Sequence, residues 1–476
     1  MLSIWSRTVF FLRRSGMGSS SWSCFDPNRT FRIRIRTDLA GRVRHCVRLP
    51  ARVASPEGEV LMTERSDHVV VVGAGMVGLA TAWFLQEHGA RVTVVDRTGV
   101  LAGSSRGNAG WLAPALTLPL PDPAILASGA LATLKPSSPV YVPPTLNPRL
   151  LRWLLDFTRH CTPGRWRAAM EVFAVANARA LEAFDAMAIE EPTKQADPFL
   201  AAFRSERDRA VLVEEFENVA TLGGATDFEL LDESGVHGLE PALGEAVTCG
   251  LRISGQRFID PVRFVSSLAA AVESRGAELV VDSVDHVASN GRGVVVRTAT
   301  DHLHADAVVL ANGAWISGLA RPHGVTAFVQ AGRGYSFTVR PESQPRGPVY
   351  FPTQRVACTP LGAPGSEDAF RVAGMMEFRK PDAPLDPRRV TAIVDAARPM
   401  LSGVDWDTRT DEWVGSRPCT ADGLPLVGPT RTPGVHVAGG HGMWGIALGP
   451  LTGRLVADQI MQGRTDPLLT AFDPLR

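Results

Sequence analysis

A glycine-rich turn between two apolar stretches constrains the fold of this chain more than any other feature. Residues 69–72 are four consecutive valines, and G-A-G-M-V-G follows at 73–78. The next stretch, LATAWFLQEHG, has the apolar spacing of a buried helix, and RVTVVD at 91–96 has the pattern of a second strand. The order strand, glycine turn, helix, strand predicts a β-α-β unit with parallel strands.

The glycine spacing indicates what this unit binds. Gly73 and Gly75 allow a tight turn and a close approach of backbone to a pyrophosphate, and Gly78 lets the helix pack on the strand. The helix N-terminus adds free N–H groups, and Asp96 stands where a carboxylate accepts hydrogen bonds from an adenosine ribose. The unit therefore predicts a Rossmann-type domain for a cofactor that contains ADP, either FAD or NAD. Further predicted contacts in this unit are Ala74, Met76, Val77 and Arg97.

The remainder of the chain favours FAD over NAD. The segment GSSRGNAGWLAP at 103–114 does not resume the β-α-β rhythm of an NAD domain, and its small residues suit a loop beneath a flavin and its diphosphate, although an ordinary surface loop is the alternative. The segment ADAVVLANGAW predicts a buried strand that stops at Asn312 and Gly313, where the chain passes close to the cofactor. The other predicted contacts in these regions are Ser104, Ser105, Asn108, Ala109, Gly110 and Val284.

A second glycine loop lies near the C-terminus. The sequence GVHVAGGHGMWGIALGP predicts a strand at 435–438, a loop at 439–445 and then a helix that ends near Gly463. The N-terminus of that helix stabilises negative charge on a reduced flavin. His441 is a candidate to face the flavin ring, with a packed or solvent-facing histidine as the alternative. The predicted cofactor contacts in this loop are Gly440, Gly442, Met443, Trp444 and Gly445.

Composition excludes several classes of protein. Basic and acidic residues number 49 each, which argues against a nucleic-acid partner. No apolar stretch is long enough for a transmembrane helix, so only peripheral membrane contact remains open. The six cysteines are scattered without a C-x-x-C pair, and His302 and His304 have no third ligand nearby, so we predict no metal site.

The first sixty residues differ from the rest. Residues 1–61 contain eleven arginines and four acidic residues, and the remainder carries 38 basic and 45 acidic residues. This composition is typical of a transit peptide or of translated sequence upstream of a later start at Met62. We expect residues 1–65 to be an N-terminal extension that is disordered or not translated.

Several collinear segments resemble a known family. They are GAGMVG with Asp96, SSRGNAGWLAP, GRGYSFTV, RVAGMMEF, WVGSRPCTADGLPLVGPT and GGHGMWGIALGP. Together they resemble the FAD-dependent D-amino-acid oxidase superfamily, and within it the small subunit of bacterial D-amino-acid dehydrogenases. The resemblance implies hydride transfer from the substrate Cα to flavin N5, followed by hydrolysis of the imine to a 2-oxo acid and ammonia. It also implies noncovalent FAD, because the loop at 104–110 has no histidine and Cys419 stands where similar dehydrogenases carry an apolar residue.

The same resemblance suggests how the substrate is held. Arg417, before Pro418, matches the arginine that clamps the substrate carboxylate in similar oxidases, and its planar fork suits both carboxylate oxygens. The alternative is a structural Arg417 paired with Asp422 or a carbonyl. Tyr335 and Arg333 are expected beside the substrate pocket, with packing roles as the alternative. We expect no dedicated base, because orientation and electrostatics suffice for a neutral amine.

These placements predict an α/β fold with a discontinuous cofactor domain. Residues 66–115, 256–325 and 417–466 are predicted to build a Rossmann-type FAD-binding domain. Residues 116–255 and 326–416 are predicted to form an inserted α+β substrate domain on an antiparallel sheet.

Three functions remain open from the sequence. The first is a cytoplasmic amino-acid dehydrogenase that passes electrons to a quinone or another acceptor, with peripheral contact at the inner face of the membrane. The second is an oxidase of glycine, sarcosine or a cyclic imino acid. The third is a catalytically inert flavin-bearing subunit, which Arg417 and the intact glycine loops argue against.

Overall fold

The computed structural model describes residues 67–123, 135–362 and 368–476, and before them only the backbone of four short strands. Those strands form two antiparallel pairs, Phe10–Arg13 with Ser21–Cys24 and Ile33–Thr37 with Val43–Arg48. The chain divides into two units, Met1–Arg65 and Ser66–Arg476. The expectation that residues 1–65 are disordered or untranslated otherwise lies outside the described residues.

The glycine fingerprint belongs to a six-stranded sheet. From edge to edge its strands are Glu278–Val281, Arg91–Asp96, His68–Val72, Ala307–Leu310, Val435–Gly439 and Leu426–Pro429. The first five are parallel and the last is antiparallel to its neighbour. The four valines at 69–72 are buried because both faces of the sheet are covered, as is usual for parallel strands. The predicted β-α-β unit is therefore confirmed, with the helix at Met76–Glu87.

Two different layers cover this sheet. On one face, the helix Met76–Glu87 packs against Gly449–Gln462 and Pro261–Ser274. The other face carries an antiparallel three-stranded sheet, whose buried valines join the core formed by Val70 and Val72. The strands of this small sheet are Val284–Ser289, Val294–Thr298 and His302–Ala305.

A second, larger sheet has nine described strands. Its strands, in spatial order, are Phe228–Leu231, Cys249–Ile253, Leu200–Phe203, Val349–Phe351, Val356–Pro360, Phe370–Phe378, Gln330–Val339 and Thr410–Cys419, and Val140–Tyr141 pairs with Phe370–Phe378. Most neighbours are antiparallel, and the helix Pro387–Ala397 packs on one face. Another small sheet contains Trp111–Leu112, Arg257–Phe258 and Lys194–Gln195. An α/β fold with a Rossmann-type sheet and a mainly antiparallel second sheet matches the predicted fold class.

The remaining described helices, except Ile316–Ala320, begin at side-chain caps or prolines. They are Pro148–His160, Pro163–Asp185, Glu206–Thr221, Glu233–Leu239, Ile316–Ala320 and Pro467–Ala471. Asn147 and Ser205 accept hydrogen bonds from the first turns of Pro148–His160 and Glu206–Thr221. Short 3₁₀ turns occur at Pro114–Leu116, Gly313–Trp315, Arg321–His323, Arg398–Met400 and Trp406–Thr408. Among the described residues, no helix is long and apolar enough to cross a membrane.

The boundary predicted at residue 417 falls inside a strand of the larger sheet. Residues 417–419 pair with Gln330–Gly332, so Arg417 belongs to the antiparallel sheet rather than to the parallel one. We keep the division into a cofactor lobe and a substrate lobe as a proposal, which the two separate sheets support. The chain passes from the larger sheet to the six-stranded sheet after Cys419.

Candidate cofactor and substrate site

A cavity of about 510 Å³ opens at the carboxyl ends of the parallel strands and extends to the end of the strand Thr410–Cys419. Ligands of open parallel sheets bind at this edge. The cavity collects most of the predicted cofactor contacts. Those that line it are Gly73, Gly75, Met76, Val77, Asp96, Arg97, Ser104, Ser105, Asn108, Val284, Asn312, Gly313, Gly442, Met443 and Gly445.

The three fingerprint glycines have different tasks. Gly73 has φ +117°, and a Cβ there would lie 2.5 Å from the carbonyl oxygen of Ala311. A Cβ on Gly78 would collide with the carbonyl oxygen of Gly73. A Cβ on Gly75 would meet only the Ser105 Oγ, at 3.3 Å. Folding therefore requires Gly73 and Gly78, whereas Gly75 leaves space inside the cavity, as a bound pyrophosphate needs.

Asp96 joins the loops at the cavity edge. Its Oδ2 accepts from the Ala74 backbone N–H at 2.9 Å, and its Oδ1 accepts from Thr98 and Gly99 at 2.9 and 3.1 Å. The Ser105 hydroxyl accepts from the Met76 N–H at 3.2 Å, at the start of the fingerprint helix. The carboxylate thus orders the turn and also lines the cavity, where a carboxylate suits the hydroxyls of a ribose.

One polar atom in the cavity lacks a partner. The Asn312 side-chain oxygen is buried and accepts no hydrogen bond within the described part of the chain, although Asn312 lines the cavity. Leaving such an atom unsatisfied is costly, so the site suits a ligand that brings a donor. Together with the open space at Gly75, this shows that the residues present fit FAD.

Some predicted contacts lie behind the cavity wall. Those that do not line it are Ala74, Gly78, Ala109, Gly110, Gly440 and Trp444. Gly110 has φ +79°, and a Cβ there would collide with the Ile259 carbonyl. The Trp444 ring N–H donates to the Leu118 carbonyl at 2.7 Å. These residues shape the loops that carry the lining residues.

Sequence reasoning missed part of the lining. The residues concerned are Val72, Val95, Thr98, Ala102, Gly103, Asp282, Ser283, Asp285, Ala311, Ala314, Trp315, Gly318, Leu319, Ser416, Pro418, Ala438, Gly439 and Ile446. Asp282 follows the strand Glu278–Val281, whose carboxyl end lies beside that of Arg91–Asp96. The order of the parallel strands could have indicated that Asp282, Ser283 and Asp285 line the cavity. Trp315 was less accessible to prediction, because its ring N–H donates to Asp382, which is far away in sequence.

Arg417 lines the cavity with an unneutralised charge. Its Nη1 donates to the Met375 carbonyl at 2.8 Å, and its guanidinium lies so close to Gly334 that a Cβ there would collide with it. No described acidic residue forms an ion pair with it. Asp422, the alternative partner, instead pairs with Arg476 at 2.7 Å. Burial lowers the pKa of Arg417, but a guanidinium remains charged at neutral pH.

The acceptor for Arg417 has an unusual backbone. Met375 adopts φ +61°, a left-handed conformation that side chains other than glycine rarely take. This conformation lies on the strand Phe370–Phe378 at the residue whose carbonyl accepts from Arg417. Strained residues held by surrounding structure are concentrated at functional sites. Met375 was not predicted, and its sequence carries no signal for this conformation.

The other two catalytic candidates are placed differently. His441 lines the cavity, but its buried ring bonds through Nε2 to the Thr452 hydroxyl at 2.8 Å, and burial lowers its pKa to about 4. It is therefore neutral at neutral pH. Tyr335 lies in the core and not at the cavity, and its hydroxyl donates to Glu377 at 2.5 Å. Arg333, also expected beside the pocket, is buried and pairs with Glu377 at 3.5 Å.

The direction of Tyr335 follows from strand geometry. Gly334 faces Arg417, and successive residues of a strand project to opposite faces. Arg333 and Tyr335 therefore project away from the cavity side, into the core beside Glu377. The placement replaces the expectation that these two residues flank the substrate.

Buried histidines predict a pH dependence of stability. Burial lowers the pKa values of His436 and His441 to about 4, whereas an unfolded histidine titrates near 6.5. Between these values the unfolded state binds more protons, so stability falls as pH decreases from about 6.5 to 4. We expect a loss of about 2 kcal/mol per histidine at pH 5 relative to pH 7.

Urea unfolding at pH 5 and pH 7 checks this prediction. His436→Gln should weaken the pH dependence, while His302→Gln, at an exposed position, should leave it unchanged. An equal pH dependence in wild type and His436→Gln would contradict the assignment.

Comparisons with known proteins identify the family of this chain. The family model of the FAD dependent oxidoreductases, DAO, matches residues 68–459. D-amino acid dehydrogenase from Agrobacterium fabrum is 29% identical over 412 residues, covering 83% of this chain and 95% of that protein. The Cereibacter sphaeroides protein of the same name is 30% identical over 418 residues, covering 85% and 93%.

Solved structures share the fold. Glycine oxidase from Geobacillus kaustophilus superposes with a TM-score of 0.65 at 23% identity, covering 86% of this chain and 99% of that one. L-alpha-glycerophosphate oxidase from Mycoplasma pneumoniae, with FAD bound, gives 0.63 at 16% identity, covering 84% and 97%. The family match covers nearly the whole second unit, and the glycine loops and the cavity in that unit suit FAD. The chain belongs to the DAO family of FAD-dependent oxidoreductases.

Proposed function

We propose that this FAD-dependent oxidoreductase is a dehydrogenase of amino acids, most similar in role to the D-amino acid dehydrogenases that it resembles. The substrate Cα–N bond is oxidised to an imine, which hydrolyses to a 2-oxo acid and ammonia. The observation that carries this proposal is Arg417, a guanidinium without a described acidic partner at the cofactor cavity. A cation in that position suits the carboxylate of an amino acid.

The side chains around Arg417 orient the substrate. Gly334 and the Met375 carbonyl hold the guanidinium on one side, which leaves other N–H groups for a carboxylate. Met443 lines the cavity and packs against an apolar cluster that contains Met376, so the carboxylate site is apolar on this side. A charge-assisted bond is stronger in such surroundings than in water.

Among the described residues, none beside Arg417 is placed as a base. The neighbours that line the cavity are Ser416, Pro418, His441 and Met443. The Ser416 hydroxyl donates to Pro381, and the His441 Nε2 is engaged with Thr452. FAD supplies the hydride acceptor when it is bound. This chain then has to bind a neutral amine and hold Cα in one orientation, and geometry is its main catalytic contribution.

Cys419, two residues after Arg417, supports noncovalent FAD. Cys419 is buried and does not line the cavity, and its sulfur lies beside Gly332 and Met376. Burial raises its pKa to about 12, which keeps the thiol protonated and weakly nucleophilic.

A screen of D- and L-amino acids tests the function. Each substrate is offered with an artificial dye under argon, and separately with oxygen as the sole acceptor. We expect turnover of D-amino acids with the dye and little turnover with oxygen. Turnover of glycine, sarcosine or proline with oxygen would favour an oxidase instead, and reduction by no amino acid would overturn the proposal.

We further infer that the acceptor is a quinone at the cytoplasmic face of a membrane, with peripheral contact. Three exposed leucine side chains on and beside the helix Pro148–His160 support this inference. Leu146, Leu151 and Leu155 are 94%, 49% and 55% exposed. Leu151 and Leu155 are four residues apart and lie on one face of the helix.

The charge around these leucines suits an anionic bilayer. Five exposed arginines lie on this helix and at the start of the next one, Pro163–Asp185, against one exposed acidic residue, Asp156, and none of the five forms an ion pair with a described acidic residue. They are Arg149, Arg152, Arg159, Arg165 and Arg167. Leucines flanked by arginines on a helix are typical of a surface that inserts shallowly among anionic headgroups.

Vesicle binding tests the membrane inference. We expect co-sedimentation with phosphatidylglycerol vesicles, weakened by salt, and about tenfold weaker binding for Leu151→Asp/Leu155→Asp. The matched control is Val211→Asp, at a 66% exposed position on another helix, which should bind normally. Equal binding by both variants, or none by wild type, would overturn the inference, whereas dye-linked activity should be unchanged throughout.

A further inference from the structure

We propose that Arg371 is a positioning residue, which fixes the loop at residues 104–110 relative to Arg417 and so sets the distance between the flavin and the substrate Cα. The part that concerns the substrate rests on the proposed function. Arg371 lies on the strand Phe370–Phe378 and does not line the cavity, so it acts through other residues.

Arg371 holds the loop by its backbone. The side chain is 3% exposed, its Nη1 donates to the Arg106 carbonyl at 2.7 Å, and its Nη2 donates to Asp411 at 3.0 Å. Asp411 also accepts from the Arg106 side chain at 3.2 Å. The three residues form a closed set in which both the backbone and the side chain of Arg106 are engaged.

The same loop contacts the cofactor cavity on its other side. Ser105, next to Arg106, accepts from the Met76 N–H and lines the cavity. Farther along the loop, the Ala109 carbonyl accepts from the Thr359 hydroxyl at 2.7 Å. Thr359 is paired with Arg371 in the neighbouring strand. Arg371 and Thr359, which are neighbours in the antiparallel sheet, therefore hydrogen-bond to two separate carbonyls of the loop.

Trp413 completes the contact between the loop at 104–110 and the antiparallel sheet, which we call the joint. The Trp413 ring lies so close to Gly107 and Gly415 that a Cβ on either glycine would collide with it. Gly107 belongs to the loop, and Gly415 is two residues from Arg417 on the strand Thr410–Cys419. The ring therefore fills the space between the loop and the strand that carries Arg417.

The two strands of the joint also build the carboxylate site. Arg371 and Met375 share one strand, while Asp411, Trp413 and Arg417 share the other. A shift of the loop against these strands changes the position of the flavin against the substrate carboxylate. Because hydride transfer depends steeply on distance, a displacement near 1 Å costs about 100-fold in rate.

Arg371→Met tests the proposal in the full-length holoprotein. The variant keeps the length of the side chain and removes its donors, and Arg106 and Asp411 retain each other. We expect the rate of anaerobic flavin reduction to fall about 10- to 100-fold, with the substrate Kd within threefold of wild type. The visible circular dichroism of the bound flavin should change as well, and Arg371→Lys should restore part of the rate.

The controls separate positioning from general stability. Arg340→Met removes an exposed ion pair with Asp368, just beyond the ends of two strands of the same sheet, and should change neither rate nor flavin dichroism. If Arg371→Met fails to fold, Thr359→Val, which removes the bond to Ala109 together with the bond that Thr359 accepts from the Trp111 ring N–H, should give the same split between rate and Kd. Normal rates in the folded variants, or equal losses of rate and affinity, would overturn the proposal. The dichroism requires no substrate, so it tests the joint even if the amino-acid chemistry is wrong.

Discussion

Replacement of Arg417 by alanine is expected to lower kcat/KM for an amino acid by about 30- to 1000-fold. This corresponds to about 2–4 kcal/mol of transition-state stabilisation for two charge-assisted hydrogen bonds. The structure supports a large effect because the guanidinium is engaged by only one described carbonyl and faces the cavity. Steady-state kinetics on an amino acid and on the matching amine measure it. The variant should lose its preference for the amino acid.

Matched variants sharpen this result. Arg417→Lys should recover only part of the loss, since an ammonium does not reproduce the planar fork. Arg409→Ala, near the beginning of the same strand and paired with Glu412, should leave kinetics unchanged. FAD content should be near normal in all three. Wild-type kinetics in Arg417→Ala, or wholesale loss of FAD, would show that Arg417 is structural.

Substitution of Gly75 by leucine is expected to abolish FAD retention without unfolding the protein. A Cβ at this position meets only Ser105 Oγ at 3.3 Å, so the added side chain extends into the cavity rather than into the core. It then occupies the space of the pyrophosphate. Flavin absorbance after gel filtration measures retention, and far-ultraviolet circular dichroism measures folding.

Two other glycines are the controls for this prediction. Gly164→Leu, near the start of the helix Pro163–Asp185, adds a side chain where nothing lies within 4 Å and should retain FAD. Gly78→Leu should disrupt folding itself, because its Cβ collides with the backbone of Gly73. Stoichiometric FAD in Gly75→Leu would contradict the assigned geometry.

Local patterns were sufficient for much of the cofactor half. The valines at 69–72, the glycine spacing and the strand before Asn312 each depend on a few consecutive residues, and these elements occur as predicted. Parallel strands then bring their carboxyl ends to one edge, and this is the reason to expect that distant loops meet there. The loop at 104–110 and the loop at 439–445 both contribute to the same cavity.

The substrate half depends on contacts that no short pattern contains. A register shift between Arg333 and Tyr335 interrupts the pairing with the strand Phe370–Phe378. Alternation along the strand puts Arg333 and Tyr335 on one face, but the partner strands decide which face is turned to the cavity, so the direction of Tyr335 was not predictable from the sequence. The same holds for Met375, whose left-handed backbone depends on its surroundings. Arg371 meets Arg106 across 265 positions of sequence.

Anaerobic reduction of the bound flavin tests the central claim most directly. The purified holoprotein is mixed with a D-amino acid, its L-enantiomer or the corresponding amine, and the flavin absorbance is followed without any added acceptor. We predict rapid bleaching by at least one D-amino acid, slow or no bleaching by the amine, and recovery of the absorbance when a quinone is added. A flavin that stays oxidised with every amino acid, but is bleached by a donor without a carboxylate, would contradict the claim.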